Sequence, residues 1–281
     1  MRADLHSHTT ASDGTFTPRQ VVERAKAKGL AALAITDHDT VAGLAEAQAA
    51  GAEHGIEIVP GIEISSVYNG HDVHVLGYYM NTVDEDFLVR LEELRDVRHL
   101  RNKMMLAKLA ELSIHITLDE VAARKKDAAG NVGRPHIAEV LMEKGIVSSM
   151  EEAFSRYLGS TGAAYVNPPR ITPEEAIDLI HAAGGVAVLA HPGLYKNPEL
   201  VRTLIAYGLD GIEVYHPDNN TEDEVLYSAL ADEAGISKTA GSDFHGMRND
   251  IVFHADLGNR STPLTTVQEL RQRAQKYQIA L

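Results

Sequence analysis

Apolar or alternating runs of strand length recur along the chain at 3–6, 31–36, 57–67, 73–79, 185–190, 211–215 and 237–240. Helical patterns stand between most of them. The first is sharply punctuated: Thr17 sits at the N-cap, Pro18 at the first helical position, Gln20 closes a capping box and Gly29 follows the last turn. A second helix begins at Thr172-Pro173-Glu174-Glu175 and a third near Thr221. Strands alternating with helices predict a parallel sheet with crossover connections. Seven such strands favour a closed or nearly closed barrel over an open sheet, an α/β fold of the TIM-like kind.

The alternation stops between residues 84 and 166. There Leu88, Leu91, Leu94, Leu100, Met104, Met105, Leu109 and Leu112 recur at helical spacing, and the two methionines read as core packing. A polar loop at 125–133 and two shorter helices at 137–144 and 150–157 follow. The stretch ends at the Asn167-Pro168-Pro169 turn. The chain therefore divides into a barrel, 1–98 and 167–281, and a helical insertion, 99–166, that starts inside a long helix.

Composition narrows the chemistry. The 281 residues include 14 histidines and no cysteine, which excludes disulfide scaffolds, thiolate nucleophiles and iron–sulfur clusters. Any metal must bind through nitrogen and oxygen. A net charge of −14 gives no broad grip on long nucleic acid or anionic lipid, so an anionic substrate needs a local positive source. Polar residues near the start and the lack of a long apolar segment make a cytoplasmic protein the expectation, with no membrane association.

Candidate chemistry collects where apolar runs end. His6 and His8 lie two apart, so an extended chain projects both to one face. Asp13 follows in a short loop. The second run turns abruptly into Asp37-His38-Asp39, Glu63 interrupts an apolar strand, and His74 follows an Asn69-Gly70 turn signal. His191, Asp243 and His245 close two later strands. Barrel enzymes gather their chemistry at the C-terminal strand ends. His6, His8, Asp13, His38, Glu63, His74, His191, Asp243 and His245 are thus nine candidate metal ligands, enough for two ions, or three with a bridging carboxylate.

The neighbours divide differently. His71 falls on the face opposite His74 and is left at the rim. Asp37 and Asp39 either orient His38 or serve as turn and cap groups. Glu213 and His216 mark another strand end, where they either contact substrate or, as the favoured reading, play a structural part. His54, His99, His115, His181 and His254 receive no role.

At this point the chain resembles the polymerase and histidinol phosphatase (PHP) superfamily. The resemblance rests on Asp4-Leu5-His6-Ser7-His8-Thr9, Ser12-Asp13-Gly14, Ile35-Thr36-Asp37-His38-Asp39, Gly61-Ile62-Glu63-Ile64, His74-Val75-Leu76-Gly77, Leu189-Ala190-His191-Pro192 and Ser242-Asp243-Phe244-His245. It implies a distorted (β/α)7 barrel with a trinuclear site. One ion would take His6, His8, Glu63 and Asp243, a second Glu63, His74 and His191, and a third Asp13, His38 and His245. Three divalent ions are implied, foremost Mn2+, with Fe2+, Zn2+ or Mg2+ as alternatives. No expected ligand is replaced by an incompetent residue.

The insertion is similar to that of the subgroup that converts nucleoside 3′,5′-bisphosphates to 5′-nucleotides, a group similar in turn to 5′-to-3′ exoribonucleases. The expected reaction is attack of a metal-bound water on the 3′-phosphate, with His191 and His216 as proton-donor candidates. The expected partner is a small phosphorylated nucleotide or short oligonucleotide. The insertion carries Arg98, Arg101, Lys103, Lys108, Arg124, Lys125, Lys126, Arg134 and His136, a basic run in an acidic chain. Within it Gly133-Arg134-Pro135-His136 aims Arg134 and His136 at a substrate phosphate. Lys125 and Lys126 read as a solvated helix end. The alternatives are an exoribonuclease on short oligonucleotides, a histidinol-phosphate phosphatase and, in a different class, a non-catalytic metal-binding module.

Overall fold

A computed structural model describes residues 1–124, 132–248, 251–252 and 254–279. Lys125 and Lys126 lie outside them. The expected runs form β1 (Arg2–Asp4), β2 (Ala32–Ile35), β3 (Glu57–Tyr68), β4 (His71–Tyr78), β5 (Val186–Leu189), β6 (Gly211–Tyr215) and β7 (Ser237–Ala240), hydrogen-bonded in that order. Three short strands follow. β8 (Met247–Arg248) pairs with β9 (Ile251–Val252), and β10 (Thr262–Pro263) runs antiparallel to β1. The two sheet edges meet beyond β1 and β7, where the Leu5 amide donates to Ala240 O at 3.0 Å, the Asp243 amide to His6 O at 2.9 Å and the His8 amide to Phe244 O at 2.8 Å. The result is a nearly closed, TIM-like α/β barrel.

One expectation fails at β4. It runs antiparallel to both β3 and β5, so the sheet is mixed. The cause is local: Asn69 (φ 50°) and Gly70 (φ 82°) both take left-handed conformations and reverse the chain in two residues. Tyr68 pairs with His71 and Ser65 with His74. Because the strand is reversed, its beginning arrives at the end of the barrel where β1, β2 and β5 finish. His74 reaches the site from there.

The helices form where their caps direct. α1 (Pro18–Ala27) has the Thr17–Gln20 capping box, with the Gln20 amide donating to Thr17 Oγ1 at 3.3 Å and the Thr17 amide to Gln20 Oε1 at 2.9 Å. With α2 (Leu44–His54) it buries Val21, Val22, Leu44 and Ala47 against the outside of β2. α3 (Glu85–Glu111), α4 (Leu118–Ala122), α5 (Arg134–Glu143) and α6 (Met150–Ala153), continued by a π-helical turn at Phe154–Leu158, make up the insertion region. α7 (Pro173–Ala182), α8 (Pro198–Tyr207), α9 (Thr221–Ala234) and α10 (Leu264–Gln278) return to the barrel. α10 touches β1, β4, β5, β7 and β10 and covers the end opposite the site. Among the described residues no helix is long and apolar enough to cross a membrane.

α3 belongs to two cores. Phe87, Leu91 and Leu94 pack with the barrel, whereas Met105, Leu106 and Leu109 join a separate cluster with Val121, Ile137, Leu141 and Leu158. The handover falls at Arg98 and Arg101, both buried. The core reading of the methionines holds for Met105, which is fully buried, but not for Met104, which is 39% exposed.

Candidate metal centre

Two strands, β3 and β4, and the segments that follow β1, β2, β5 and β7 deliver side chains to one mouth of the barrel. His6 and His8 stand on the extended continuation of β1, whose Ser7 bridges Phe244. His38 follows β2 and bridges Glu63, in the middle of the long β3. His191 follows β5, and Asp243 and His245 follow β7. Asp39, His191 and Asp243 hold positive φ values of 54°, 29° and 52°. L-residues adopt this conformation at a cost of about 1–3 kcal/mol unless their surroundings fix them. Two of these residues, His191 and Asp243, are candidate ligands, and the third follows the candidate ligand His38.

The nine candidate ligands meet in one buried cluster. Asp243 Oδ1 lies 3.2 Å from His6 Nε2 and 3.0 Å from His8 Nε2. Glu63 is the hub: its Oε2 is 3.0 Å from His38 Nδ1 and 3.2 Å from His8 Nε2, and its Oε1 is 2.8 Å from His74 Nδ1 and 3.1 Å from His191 Nε2. Asp13 approaches His245 at 3.4 Å, His8 at 3.8 Å and His38 at 3.9 Å. Among the described residues five groupings have donor atoms within 4.8 Å of one another: His6, His8, Glu63 and Asp243; His8, Asp13, His38 and His245; His38, Glu63 and His74; His6, Glu213 and His216; and His216, Asp243 and His254. His191 joins them through Glu63.

These side chains fit a cation better than they fit each other. His6 Nε2, His8 Nε2, Glu63 Oε2 and Asp243 Oδ1 are buried and make no hydrogen bond despite their proximity. Buried polar atoms without partners are costly, and lone pairs aimed at a common point are what an ion satisfies. The electrostatics agree. Burial opposes a charged His8, yet Asp243 and Glu63 outweigh it and push its pKa up to about 10. Burial, against the pull of Glu63, drives His38 down to about 4. A site this rich in carboxylate holds protons when it lacks ions, and an entering metal must displace them.

Surrounding groups set the ring orientations. Glu213 accepts from His6 Nδ1 at 3.0 Å, turning Nε2 inward, and also accepts the His191 amide at 2.9 Å. Asp37 and Asp39 act on the backbone and loops. Asp37 accepts from the Thr9 amide and hydroxyl, each at 2.7 Å, and from Ser12, fixing the loop that carries Asp13. Asp39 accepts from the Ser65 amide at 2.8 Å and pairs with Arg98 Nη2 at 2.9 Å. Tyr195 Oη lies 3.0 Å from His191 Nδ1. His216 Nδ1 accepts from the Asp218 amide at 3.1 Å, so its proton sits on Nε2, 3.6 Å from Asp243.

His254 received no role, yet it belongs to the site. Its Nδ1 is 3.0 Å from Asp243 Oδ2 and its Nε2 is 2.9 Å from Asp218 Oδ2. Burial is outweighed by Asp243 and Asp218, which push its pKa up to about 10. No strand end marks it in the sequence; only its spacing after His245 could have raised it. His71 is exposed at the rim, as expected. His181 pairs with Asp210 at 2.7 Å and stacks on Tyr277 beneath the barrel.

A cavity of about 670 Å³ opens over the cluster. Arg98, Arg101, Arg134, Pro135, Met150 and Phe154 wall it from the insertion side. Arg134 lies over the Phe154 ring at 5.7 Å and pairs with Asp72 at 2.9 Å. His136 is buried, and its Nδ1 accepts from the Gly133 amide at 3.0 Å at the start of α5.

A barrel whose mouth gathers His, Asp and Glu groups able to hold metal ions, beside a cavity lined by Arg98, Arg101 and Arg134, defines a metal-dependent hydrolase of anionic substrates. Residues 4–167 match the PHP domain, and the chain belongs to that family. The 3′,5′-nucleoside bisphosphate phosphatase of Chromobacterium violaceum is 37% identical over 250 residues, covering 86% of each chain. The 5′-3′ exoribonuclease Rnm of Escherichia coli is 36% identical over 249 residues, covering 86% of this chain and 84% of that one. A solved Bifidobacterium adolescentis structure, described as a metal-dependent phosphoesterase, superposes with a TM-score of 0.88 at 35% identity over 96% of each chain. The protein is a metal-dependent phosphoesterase.

Gly241 lets the backbone after β7 pass close to His6. A Cβ there would lie 2.2 Å from His6 Cβ and 2.8 Å from Glu213 Oε1. Gly241→Ala should displace the His6 ring and lower kcat/KM on an aryl phosphate by about 100-fold, the scale of a 1 Å misplacement. Unchanged steady-state kinetics in a folded variant would refute that close-approach argument.

Proposed function

We propose that the protein hydrolyses the 3′-phosphate of nucleoside 3′,5′-bisphosphates to give 5′-nucleotides. The supporting observation is that one cavity joins the His/carboxylate cluster to the Arg134 guanidinium, 18% exposed at its side chain, so two phosphates of one small molecule find separate partners. In this reading His6, His8, Glu63 and Asp243 hold one ion, Glu63, His74 and His191 a second, and Asp13, His38 and His245 a third. Mn2+ is the proposed resident, and Fe2+, Zn2+ and Mg2+ suit the same donors. Bound ions would supply Lewis acidity and an acidified water for in-line attack at phosphorus.

The chain's own groups do the rest. Glu213 and Tyr195 keep the inward nitrogens of His6 and His191 available. His191 is thereby committed through Nε2, which leaves His216, with its Nε2 proton, as the donor toward the departing oxygen. Arg134 grips the second phosphate, and His136 fixes the first turn of α5 from which Arg134 reaches. Residues 99–166, with a core of their own, act as the substrate cap over the 1–98 and 167–281 barrel. A cytoplasmic location is part of the same proposal.

One observation favours a second reading, 5′-to-3′ exonuclease action on short RNA. A further cavity of about 850 Å³ shares His74, Arg134, Phe154, His191 and Leu194 with the first, giving room for another nucleotide. Mn2+-loaded protein should be assayed against adenosine 3′,5′-bisphosphate, a 5′-phosphorylated RNA trimer and histidinol phosphate, beside elemental analysis. The bisphosphate should lead in kcat/KM by at least about tenfold, one 1.4 kcal/mol step. The RNA trimer in first place would install the exonuclease reading, and histidinol phosphate in first place would sink both.

A further inference from the structure

Next to the metal cluster lies a group of arginines that the residues so far assigned do not use fully. Arg101, Arg134 and Arg170 converge on one carboxylate, Asp72. Arg134 pairs with it at 2.9 Å, Arg170 makes a closer contact, and Arg101 stands off at 3.8 Å. Arg98, alongside, is taken up by Asp39 and Ser65. Three guanidiniums thus share the one carboxylate of Asp72, and two of them, Arg101 and Arg134, line the cavity.

Arg101 is the member left over. It is 3% exposed, lines the cavity, and its Nε is buried without a hydrogen-bond partner. Among the described residues the 3.8 Å approach to Asp72 is its only ion pair. A buried cation so poorly matched is costly unless a ligand completes it. Salt-bridge networks that serve only stability spread their charges over matched carboxylates; here three arginines crowd onto Asp72 alone. A phosphate monoester carries about −1.5 to −2 at neutral pH and offers acceptor oxygens suited to a guanidinium fork.

We propose that Arg101 is the specificity-determining residue for the second phosphate, completing with Arg134 a preformed dianion pocket whose back wall is Asp72 and Arg170. The inference rests on the bisphosphate reading above and sharpens it. Asp72 and Arg170 hold the two guanidiniums in place, and the ligand's charge replaces the missing carboxylate. The enzyme therefore selects substrates that carry a phosphate monoester at each of two positions.

The test compares wild type, Arg101→Met and Arg101→Lys, all loaded with Mn2+, on adenosine 3′,5′-bisphosphate and adenosine 3′-monophosphate. The quantity read is the ratio of the two kcat/KM values. Loss of a charge-assisted contact should lower the ratio by about 10- to 100-fold in Arg101→Met, and the lysine variant should recover part of it as a point charge. Inhibition by adenosine 5′-monophosphate should weaken in parallel, a readout that a merely structural arginine would not move selectively. If Arg101→Met does not fold, Arg101→Lys carries the same comparison. A wild type with no preference for the bisphosphate overturns the substrate reading and this inference with it. A preference present in the wild type and retained in both variants overturns this inference alone.

Discussion

Glu63→Gln is expected to lower kcat on any phosphate ester by at least about 1000-fold and to reduce the metal recovered with the protein. The reason is geometric. One carboxylate lies within 3.5 Å of ring nitrogens of five histidines, His6, His8, His38, His74 and His191. Burial opposes its ionisation, but His38, His74 and His6 outweigh that and hold its pKa well below the usual carboxylate range. Glutamine keeps the shape, removes the charge and turns an amide donor toward imidazole lone pairs. Outer groups that merely orient a metal ligand cost about 10- to 100-fold when removed, so the shared carboxylate should cost more. Elemental analysis beside an aryl-phosphate assay reads both effects. Full metal content with wild-type turnover would remove Glu63 from the centre of the proposal.

Most of this site is legible in sequence because its residues break a pattern. His6, His38 and Asp243 stand where buried strands end and Glu63 stands inside one, places where packing gives no reason for ionisable groups. What periodicity reports is burial, and it is blind to direction and to distant partners. The run at 73–79 predicts a strand equally well in either sense, and only the left-handed Asn69-Gly70 pair reverses it. Asp72 and Arg170 are separated by 98 residues and meet only after the hairpin and the insertion have folded. Arg101 looks like one more solvated charge in a basic helix, yet it is among the most buried residues of α3. His254 escaped for the same reason, since its partners Asp218 and Asp243 come from other connections.

Asp39→Asn should destabilise the protein by about 3–5 kcal/mol, because it strips the charge partner from a buried guanidinium. Arg98 is 7% exposed and donates to Asp39 through Nε at 3.2 Å and Nη2 at 2.9 Å, while Arg95 donates to the Asp39 carbonyl at 3.0 Å. These bonds tie α3 to the loop after β2. They lie where the helix passes from the barrel core to the insertion core. Asp39 also accepts the Ser65 amide, and its own amide donates to Glu63 O at 3.0 Å, so the pair braces the backbone of both His38 and Glu63. At about 2–4 °C per kcal/mol for a chain near this size, the melting temperature should fall by roughly 6–20 °C. The double variant Asp39→Asn/Arg98→Met leaves no unpaired charge and should regain part of that stability. Its activity should stay low, because the insertion would then be packed on the barrel without being registered over the metal centre. Scanning calorimetry of the single and double variants separates the effects: a single variant that melts with the wild type would show that the Arg98–Asp39 pair does not brace α3 against the barrel.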